Sequence, residues 1–165
     1  DQAGNAWLLA RRPDDARLSF SSAITLSPND PDLLADRARA YALAVNWKAA
    51  DADLTAALAK NPNRADLLVL RASARHAMGR KADARADIDQ ALRVQPDSAD
   101  ALEERGEMKS EAGDNAGAKI DWMNTIAKSP RGSAAADAKQ HLDALNQPPP
   151  AAPATAPAVQ PPATH

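Results

Sequence analysis

The chain has 165 residues, of which 44% are hydrophobic and 25% charged, and its formal net charge is −2. This near-neutral balance lacks the clustered excess of Lys and Arg that gives affinity for nucleic acid, so no DNA or RNA partner is expected. The absence of cysteine excludes disulfides, thiolate catalysis and iron–sulfur clusters. No apolar run approaches the roughly 18 residues that a membrane-spanning helix needs.

Prolines recur every 34 residues along the chain, at Pro28, Pro62, Pro96 and Pro130. The residues between them repeat in phase. A repeat of this length is one supersecondary unit that cannot bury its apolar face alone, so stacked copies share a continuous core. The phase predicts an incomplete first unit, whose opening helix is clipped, and then three full units. Their ranges are 1–30, 31–64, 65–98 and 99–132.

Each unit carries two apolar stripes at helical spacing. In the second half of a unit, a small residue is followed four and eight places later by large apolar ones, as in Ala50, Leu54 and Leu58. The first half carries a shorter stripe of the same kind, as in Leu68 and Ala72. Glycine or proline separates the two stripes in most units. Each unit is therefore predicted to be a helix-turn-helix hairpin.

Small residues at the eighth and twentieth places, a bulky one at the twenty-fourth and proline at the thirty-second resemble the tetratricopeptide repeat (TPR). In the second full unit these residues are Ala72, Ala84, Ile88 and Pro96. The resemblance implies an all-α fold, a right-handed α-solenoid of helix-turn-helix TPR units, for a TPR domain over residues 1–146. It also implies a non-catalytic interaction module or scaffold that binds a peptide or protein segment in a concave groove.

Some places depart from the family pattern. The later aromatic residue of the first helix is kept as Trp7 and Tyr41, but it becomes Arg75 and Lys109 in the last two units. The last full unit also has Thr125 where the family has alanine, so it is the least regular unit.

Arginines occupy a place where the family usually has leucine, and an aspartate follows each of them sixteen residues later. Antiparallel helices bring these two places opposite one another, which predicts one partly buried ion pair per full unit. A binding site for an anionic ligand is the alternative interpretation of the arginines. The first unit has Ala3 and Ser19 in the two columns and lacks both residue types. The predicted structural pairs are Arg37–Asp53, Arg71–Asp87 and Arg105–Asp121.

The first helices of successive units line the groove by resemblance to the family. The groove is predicted to be apolar and partly basic at its start and acidic at its end, which favours a partner with apolar anchors and basic residues. The carboxylate clamp of the family's chaperone adaptors is not expected, because matching places are apolar or wrongly charged, as at Val69 and Glu104. The expected groove residues are Asn5, Leu8, Arg12, Asp32, Ala35, Arg39, Ala42, Asp66, Val69, Ser73, His76, Asp100, Glu103, Glu107 and Ser110.

The acidic residues of the last full unit have two interpretations. Glu103, Glu104, Glu107 and Glu111 form either an ordinary solvated helix face or part of a site for a basic partner. The three histidines fall on different elements, so no two have the i, i+3 or i, i+4 spacing of a helical metal site. No catalytic residue, cofactor or metal site is predicted, and enzyme activity is not expected.

The last part of the chain is expected to form a helix that caps the solenoid, followed by a tail. Residues 133–146 have the pattern of a single capping helix. Residues 147–165 are a proline- and alanine-rich tail that is expected to be disordered. This tail, the absence of cysteine and the first residue, Asp1, favour a bacterial periplasmic or envelope location, but each also fits a cytoplasmic fragment.

The clipped first unit suggests a function of a different class. A structural or oligomerisation segment of a larger TPR protein would stack through the exposed side chains of Trp7, Leu8 and Leu9, either on a further unit or on a second copy. Self-association through the first unit is therefore the alternative to a free peptide groove.

Overall fold

The computed structural model describes residues 2–146, and within this range all regular secondary structure is helical. Each helix packs against the next one along the chain, which confirms the all-α solenoid. The predicted tail at 147–165 lies outside the described residues. The helices are α1 (Gln2–Leu9), α2 (Pro13–Leu26), α3 (Pro31–Leu43), α4 (Trp47–Lys60), α5 (Ala65–Ala77), α6 (Lys81–Val94), α7 (Ala99–Glu111), α8 (Asn115–Lys128) and α9 (Ser133–Asn146).

Several helices begin at a side chain that accepts a hydrogen bond from the first turn. The carboxylate of Asp30 accepts from the backbone N–H of Asp32 at 2.9 Å, at the start of α3. Asn46, Ser98 and Asp114 accept from the third residue of α4, α7 and α8 in the same way. Such caps satisfy N–H groups that have no partner within the helix, and each contributes about 1 kcal/mol.

The turn between the two helices of a unit repeats one backbone conformation. Its positive-φ residue recurs in phase, at Arg11 (53°), Val45 (60°), Gly79 (76°) and Gly113 (85°). Glycine adopts this left-handed conformation without strain. The β-branched Val45 adopts it at a cost of roughly 1–2 kcal/mol, so the geometry of the hairpin is kept even where the sequence disfavours it.

A small residue on the first helix of each unit faces a large residue on the second helix. Glycine replaces alanine in the two units whose large residue is aromatic, and a Cβ on either glycine would overlap the aromatic ring. All of these residues are buried. Within each unit, a larger side chain on the second helix is therefore compensated by a smaller residue on the first. The pairs are Gly4 with Phe20, Ala38 with Leu54, Ala72 with Ile88, and Gly106 with Trp122.

First helices of neighbouring units also contact one another directly, as α1 does with α3 and α5 does with α7. The capping helix α9 contacts both α7 and α8. The first helices therefore form a shared surface on which side chains of different units meet. Within residues 2–146, none of the helices has the length and apolarity needed to cross a bilayer.

Candidate functional site

Arginine–aspartate pairs join the two helices of each full unit. Each arginine donates from two nitrogens to both carboxylate oxygens of its aspartate, and the three aspartates are 8%, 3% and 1% exposed in chain order. The arginines therefore point into the wall of the solenoid and away from an external anion. The nitrogen–oxygen distances are 2.7 and 2.8 Å in Arg37–Asp53, 2.9 and 2.7 Å in Arg71–Asp87, and 2.8 and 2.7 Å in Arg105–Asp121.

A second cation reaches two of these buried aspartates. Arg75 donates to Asp87 at 2.7 Å, and the Nζ of Lys109 lies 2.8 Å from Asp121. Burial alone would raise the pKa of Asp121, but hydrogen bonds from Arg105 and Lys109 outweigh burial and lower it. Sequence reasoning missed these contacts, although the loss of the family's aromatic residue at both places was a signal for them.

The first half of the predicted groove is mostly occupied by contacts within the chain. Leu8 packs in the core of the first unit, and the guanidinium of Arg12 lies over the ring of Trp7, 4.5 Å from its centroid. The assignment of Ala35 to the groove is wrong, because this residue is 1% exposed. Ala35 lies one turn before the buried Ala38, and both face the core.

An open cavity of about 380 Å³ lies on the surface formed by the first helices of the full units. Val69 and Leu70 give it an apolar floor, and both are only partly buried. Arg39 lies at its edge, but it is already paired with Asp36 at 2.6 Å. The groove residues that line this cavity are Arg39, Asp66, Val69, Ser73 and Asp100.

A second cavity of about 420 Å³ adjoins the first, and the two share Ser73. Within it, the Nδ1 of His76 lies 3.0 Å from the Oε1 of Glu104, and its Nε2 lies 2.9 Å from the Oε2 of Glu111. The hydroxyl of Ser73 donates to the Oε2 of Glu104 at 2.5 Å. One nitrogen of His76 and one oxygen each of Glu104 and Glu107 lie within 4.8 Å of one another. We call His76, Glu104 and Glu107 the His76 cluster.

Three of the four glutamates of α7 do not form a solvated face, so that interpretation is wrong for them. Glu104 is 7% exposed, and the side chain of Glu103 is 15% exposed. Burial, followed by repulsion from Glu107 and the other nearby carboxylates, raises the pKa of Glu103 to about 8. Burial also raises the pKa of Glu107. The physical reason is that α7 is covered on both sides, by α5 and by α9.

The fourth glutamate is held by a lysine. The Nζ of Lys81 lies 2.7 Å from the Oε2 of Glu111, and hydrogen bonds from Lys81 and His76 lower the pKa of Glu111 to about 2. Burial would lower the pKa of His76, but its hydrogen bonds to Glu111 and Glu104 raise it. The predicted groove lacked Glu104, Glu111 and Lys81. Glu104 shares its column with Gln2, Asp36 and Leu70, so the repeat pattern gave no signal for its burial.

The structure thus brings part of the predicted groove together. Ser73, His76 and Glu107 line the second cavity between α5 and α7, whereas Glu103 lies beside His141 of α9 and Asn5 lies at the other end of the solenoid. Arg39, Asp66, Val69 and Asp100 line the first cavity, whereas Asp32, Ala42 and Ser110 line neither of the two. Asp32, Asp66 and Asp100 are exposed, and Ala42 and Ser110 are partly buried.

Glu103→Gln is expected to stabilise the chain in a pH-dependent way. Because the pKa of Glu103 is about 8 in the fold and 4.5 ordinarily, the folded chain holds this proton more tightly than the unfolded chain. That contribution is complete below pH 4.5 and is lost as the pH rises towards 8. The variant should exceed the wild-type chain by on the order of 2 kcal/mol near pH 8, since groove solvent screens part of the effect, and by little near pH 5.

Urea denaturation in EDTA at the two pH values measures this difference. The carboxylates that act on Glu103 are Glu107, Glu104, Asp137 and Asp100, and His141 lies 3.8 Å away. Asp143→Asn, an exposed substitution on α9, serves as the control and should show no such pH dependence. An equal difference at both pH values would show that Glu103 is charged in the fold.

No protein-family model matches the sequence, and no curated protein matches it. Solved structures, in contrast, share the fold. TTC0263, a thermophilic TPR protein of Thermus thermophilus, superposes with a TM-score of 0.79 at 18% identity. The alignment covers 88% of this chain and 80% of that one.

Two further solved structures carry information on ligands of their own. YrrB, described as a TPR protein with an unusual peptide-binding site, has a TM-score of 0.69 at 20% identity, over 84% of this chain and 71% of its own. The first TPR domain of Spaghetti (RPAP3), bound to the HSP90 peptide SRMEEVD, has a TM-score of 0.65 at 23% identity, over 68% of this chain and 89% of its own. At these identities the likeness is one of fold.

Proposed function

We propose that this chain, which has the fold of tetratricopeptide-repeat proteins, is a non-catalytic interaction module that holds a peptide or protein segment in its groove. The observation that carries the proposal is the pair of adjoining cavities along the first helices of the full units, which meet at Ser73. Together they offer a continuous site for an extended segment. Two of the structures with this fold support the proposal. YrrB is described as having a peptide-binding site, and the Spaghetti domain is bound to a peptide.

The charge of the groove favours a partner with a basic side chain. Glu107 lines the second cavity, and Glu103 lies one helical turn before it on α7. Both are partly buried, and within residues 2–146 the carboxylate of Glu107 accepts no hydrogen bond. Arg39 is paired with Asp36 and is a poor receptor for an acidic terminus. The segment we propose therefore places an apolar anchor on Val69 and directs a Lys or Arg towards Glu103 and Glu107. The bound cation lowers the raised pKa of both carboxyl groups, so they ionise on binding.

Two synthetic 12-residue peptides, one with Leu anchors and two Lys and the other with Glu in place of Lys, test the proposal. In EDTA and at low salt, the Lys peptide should bind the wild-type chain, and the Glu peptide should bind at least about tenfold more weakly. The double variant Glu103→Gln/Glu107→Gln should weaken binding of the Lys peptide by about fivefold to tenfold. Fluorescence anisotropy measures both effects.

A control variant with the same number of carboxyl-to-amide changes is Asp14→Asn/Asp143→Asn, which alters two exposed carboxylates that line neither cavity. It should bind the Lys peptide as the wild-type chain does, and circular dichroism should show that both double variants keep their helices. Equal affinity of the groove variant and the wild-type chain at low salt would contradict the proposed acidic site.

A structural or oligomerisation segment is the second candidate. The observation in its favour is that Leu9 and Leu26, the last residues of α1 and α2, are each 87% exposed. Trp7 and Leu8 were expected to be exposed as well, but they pack partly buried against Phe20 and leave a smaller apolar face. Sedimentation of the whole chain separates the candidates: a dimer that Leu9→Ser dissociates supports stacking, and a monomer at all concentrations supports the free groove.

A further inference from the structure

We propose that His76, Glu104 and Glu107 bind one divalent transition-metal ion of the zinc class. This inference goes beyond the proposed function and requires no peptide partner. The His76 cluster offers one imidazole nitrogen and two carboxylate oxygens within 4.8 Å of one another, on α5 and α7. Ligands about 2.1 Å from a tetrahedral zinc ion lie roughly 3.4 Å apart, so small side-chain rotations suffice to close the site.

The distances inside the cluster already approach those of ligand pairs. The Nδ1 of His76 and the Oε1 of Glu104 are 3.0 Å apart and face each other. The other oxygen of Glu104 is fixed by the hydroxyl of Ser73. An ion that enters between Nδ1 and Oε1 takes the place of the proton they share, which is released to solvent. The contact between Ser73 and the other oxygen of Glu104 stays in place. The 420 Å³ cavity provides the path from solvent and leaves room for water as a further ligand.

A second shell for the histidine is also present. Ligand histidines generally donate their other ring N–H to a carboxylate, which fixes the tautomer and orients the ring. The Nε2 of His76 lies 2.9 Å from Glu111, whose carboxylate is in turn held by Lys81 at 2.7 Å. This arrangement directs Nδ1 towards Glu104 as the ligand atom. Glu111 thus acts as a positioning residue and does not itself bind the ion.

The charge balance of the cluster favours a dication. Three glutamates of α7, Glu104, Glu107 and Glu111, line one cavity with a single histidine. Lys81 is taken by Glu111, and the Glu107 carboxylate accepts no hydrogen bond among the described residues. Imidazole and carboxylate ligands together suit zinc and its neighbours in the transition series, whereas Mg²⁺ and Ca²⁺ prefer oxygen alone.

Isothermal titration of the untagged full chain with ZnCl₂, after EDTA treatment and dialysis, tests the site. One ion should bind per chain and raise the melting temperature, while MgCl₂ at equal concentration should do neither. His76→Gln and Glu107→Gln should each weaken zinc binding at least about tenfold, and Glu111→Gln should weaken it about tenfold through loss of the second shell. Glu107→Gln removes no hydrogen bond, so this variant stays folded even if His76→Gln does not.

Two histidines outside the cluster provide matched controls. His141→Gln on α9 and His165→Gln, beyond the described residues, should bind zinc as the wild-type chain does. Absence of binding, binding that survives Glu107→Gln unchanged, or binding that disappears with either control would overturn the proposal. The titration contains no peptide and the peptide assay contains EDTA, so failure of one proposal is distinguishable from failure of the other.

Discussion

Asp87→Leu is expected to lower the free energy of unfolding by about 3–5 kcal/mol, measured by urea denaturation at pH 7. Asp87 is 3% exposed and accepts hydrogen bonds from the Nε and Nη2 of Arg71 and from the Nη1 of Arg75. Without the carboxylate, two guanidinium groups are left close together in the wall of the solenoid. Arg75 retains Asp51, but Arg71 keeps only a 3.4 Å contact with Thr55.

The double variant Arg71→Leu/Asp87→Leu should lose less stability than Asp87→Leu alone, because it removes the stranded charge together with its partner. An exposed pair gives the control. Asp83→Asn breaks the contact between Asp83 and Arg80, whose side chains are 52% and 44% exposed respectively, and should change the free energy of unfolding far less than Asp87→Leu does. Equal losses for Asp87→Leu and the double variant would mean that Arg71 and Asp87 do not depend on each other.

The repeat made the fold predictable because each hairpin is encoded locally. The large residue of one column and the small residue of another, such as Ile88 and Ala72, lie in the same unit and meet across one turn. The spacing of Arg71 and Asp87 follows from the same hairpin geometry. The stacking of the units was predicted from the family resemblance, because the sequence within one unit does not specify it. The solved structure of the TPR protein TTC0263 agrees with that arrangement.

The groove was less predictable, because it depends on contacts between units. His76 and Glu104 belong to consecutive units, and whether they meet depends on the angle between α5 and α7. Only one unit boundary carries this pair, so no column repeats it. Ala35 illustrates the opposite error: its place in the family's groove register suggested a surface position, while its small side chain fits the core beside Ala38. At this position, the small size of alanine and not the family's register accounts for burial.

The capping helix α9 buries residues of the last unit, and the 34-residue repeat does not predict this burial. Because α9 packs on α7 and α8, it covers a part of α7 that would otherwise be open. Trp122, in the column of Ile88, packs with Ala138 of α9 and meets the ring of His141 edge-on, with centroids 4.8 Å apart. The burial of Glu103 and the core of the last unit are therefore both consequences of the cap.

Gly106→Ala is expected to destabilise the chain by about 1–3 kcal/mol, although alanine is the better helix former by about 1 kcal/mol. A Cβ at this position would overlap the indole of Trp122, which is 2% exposed and has little room to move. The ring would have to shift against Ala138, so the loss should also loosen α9. Thermal unfolding followed by circular dichroism measures the change.

The matched rescue follows from the two units in which alanine faces an aliphatic residue, as Ala38 faces Leu54. Trp122→Leu alone leaves a cavity beside Gly106 and should cost about 2–4 kcal/mol, but it should cost less in the Gly106→Ala background, since the added methyl group fills part of that space. Ser110→Ala, a partly buried position on the same helix, controls for helix propensity. If Gly106→Ala instead stabilised the chain as Ser110→Ala can, helix propensity would outweigh the packing of the ring, and the glycine would not be required by its aromatic partner.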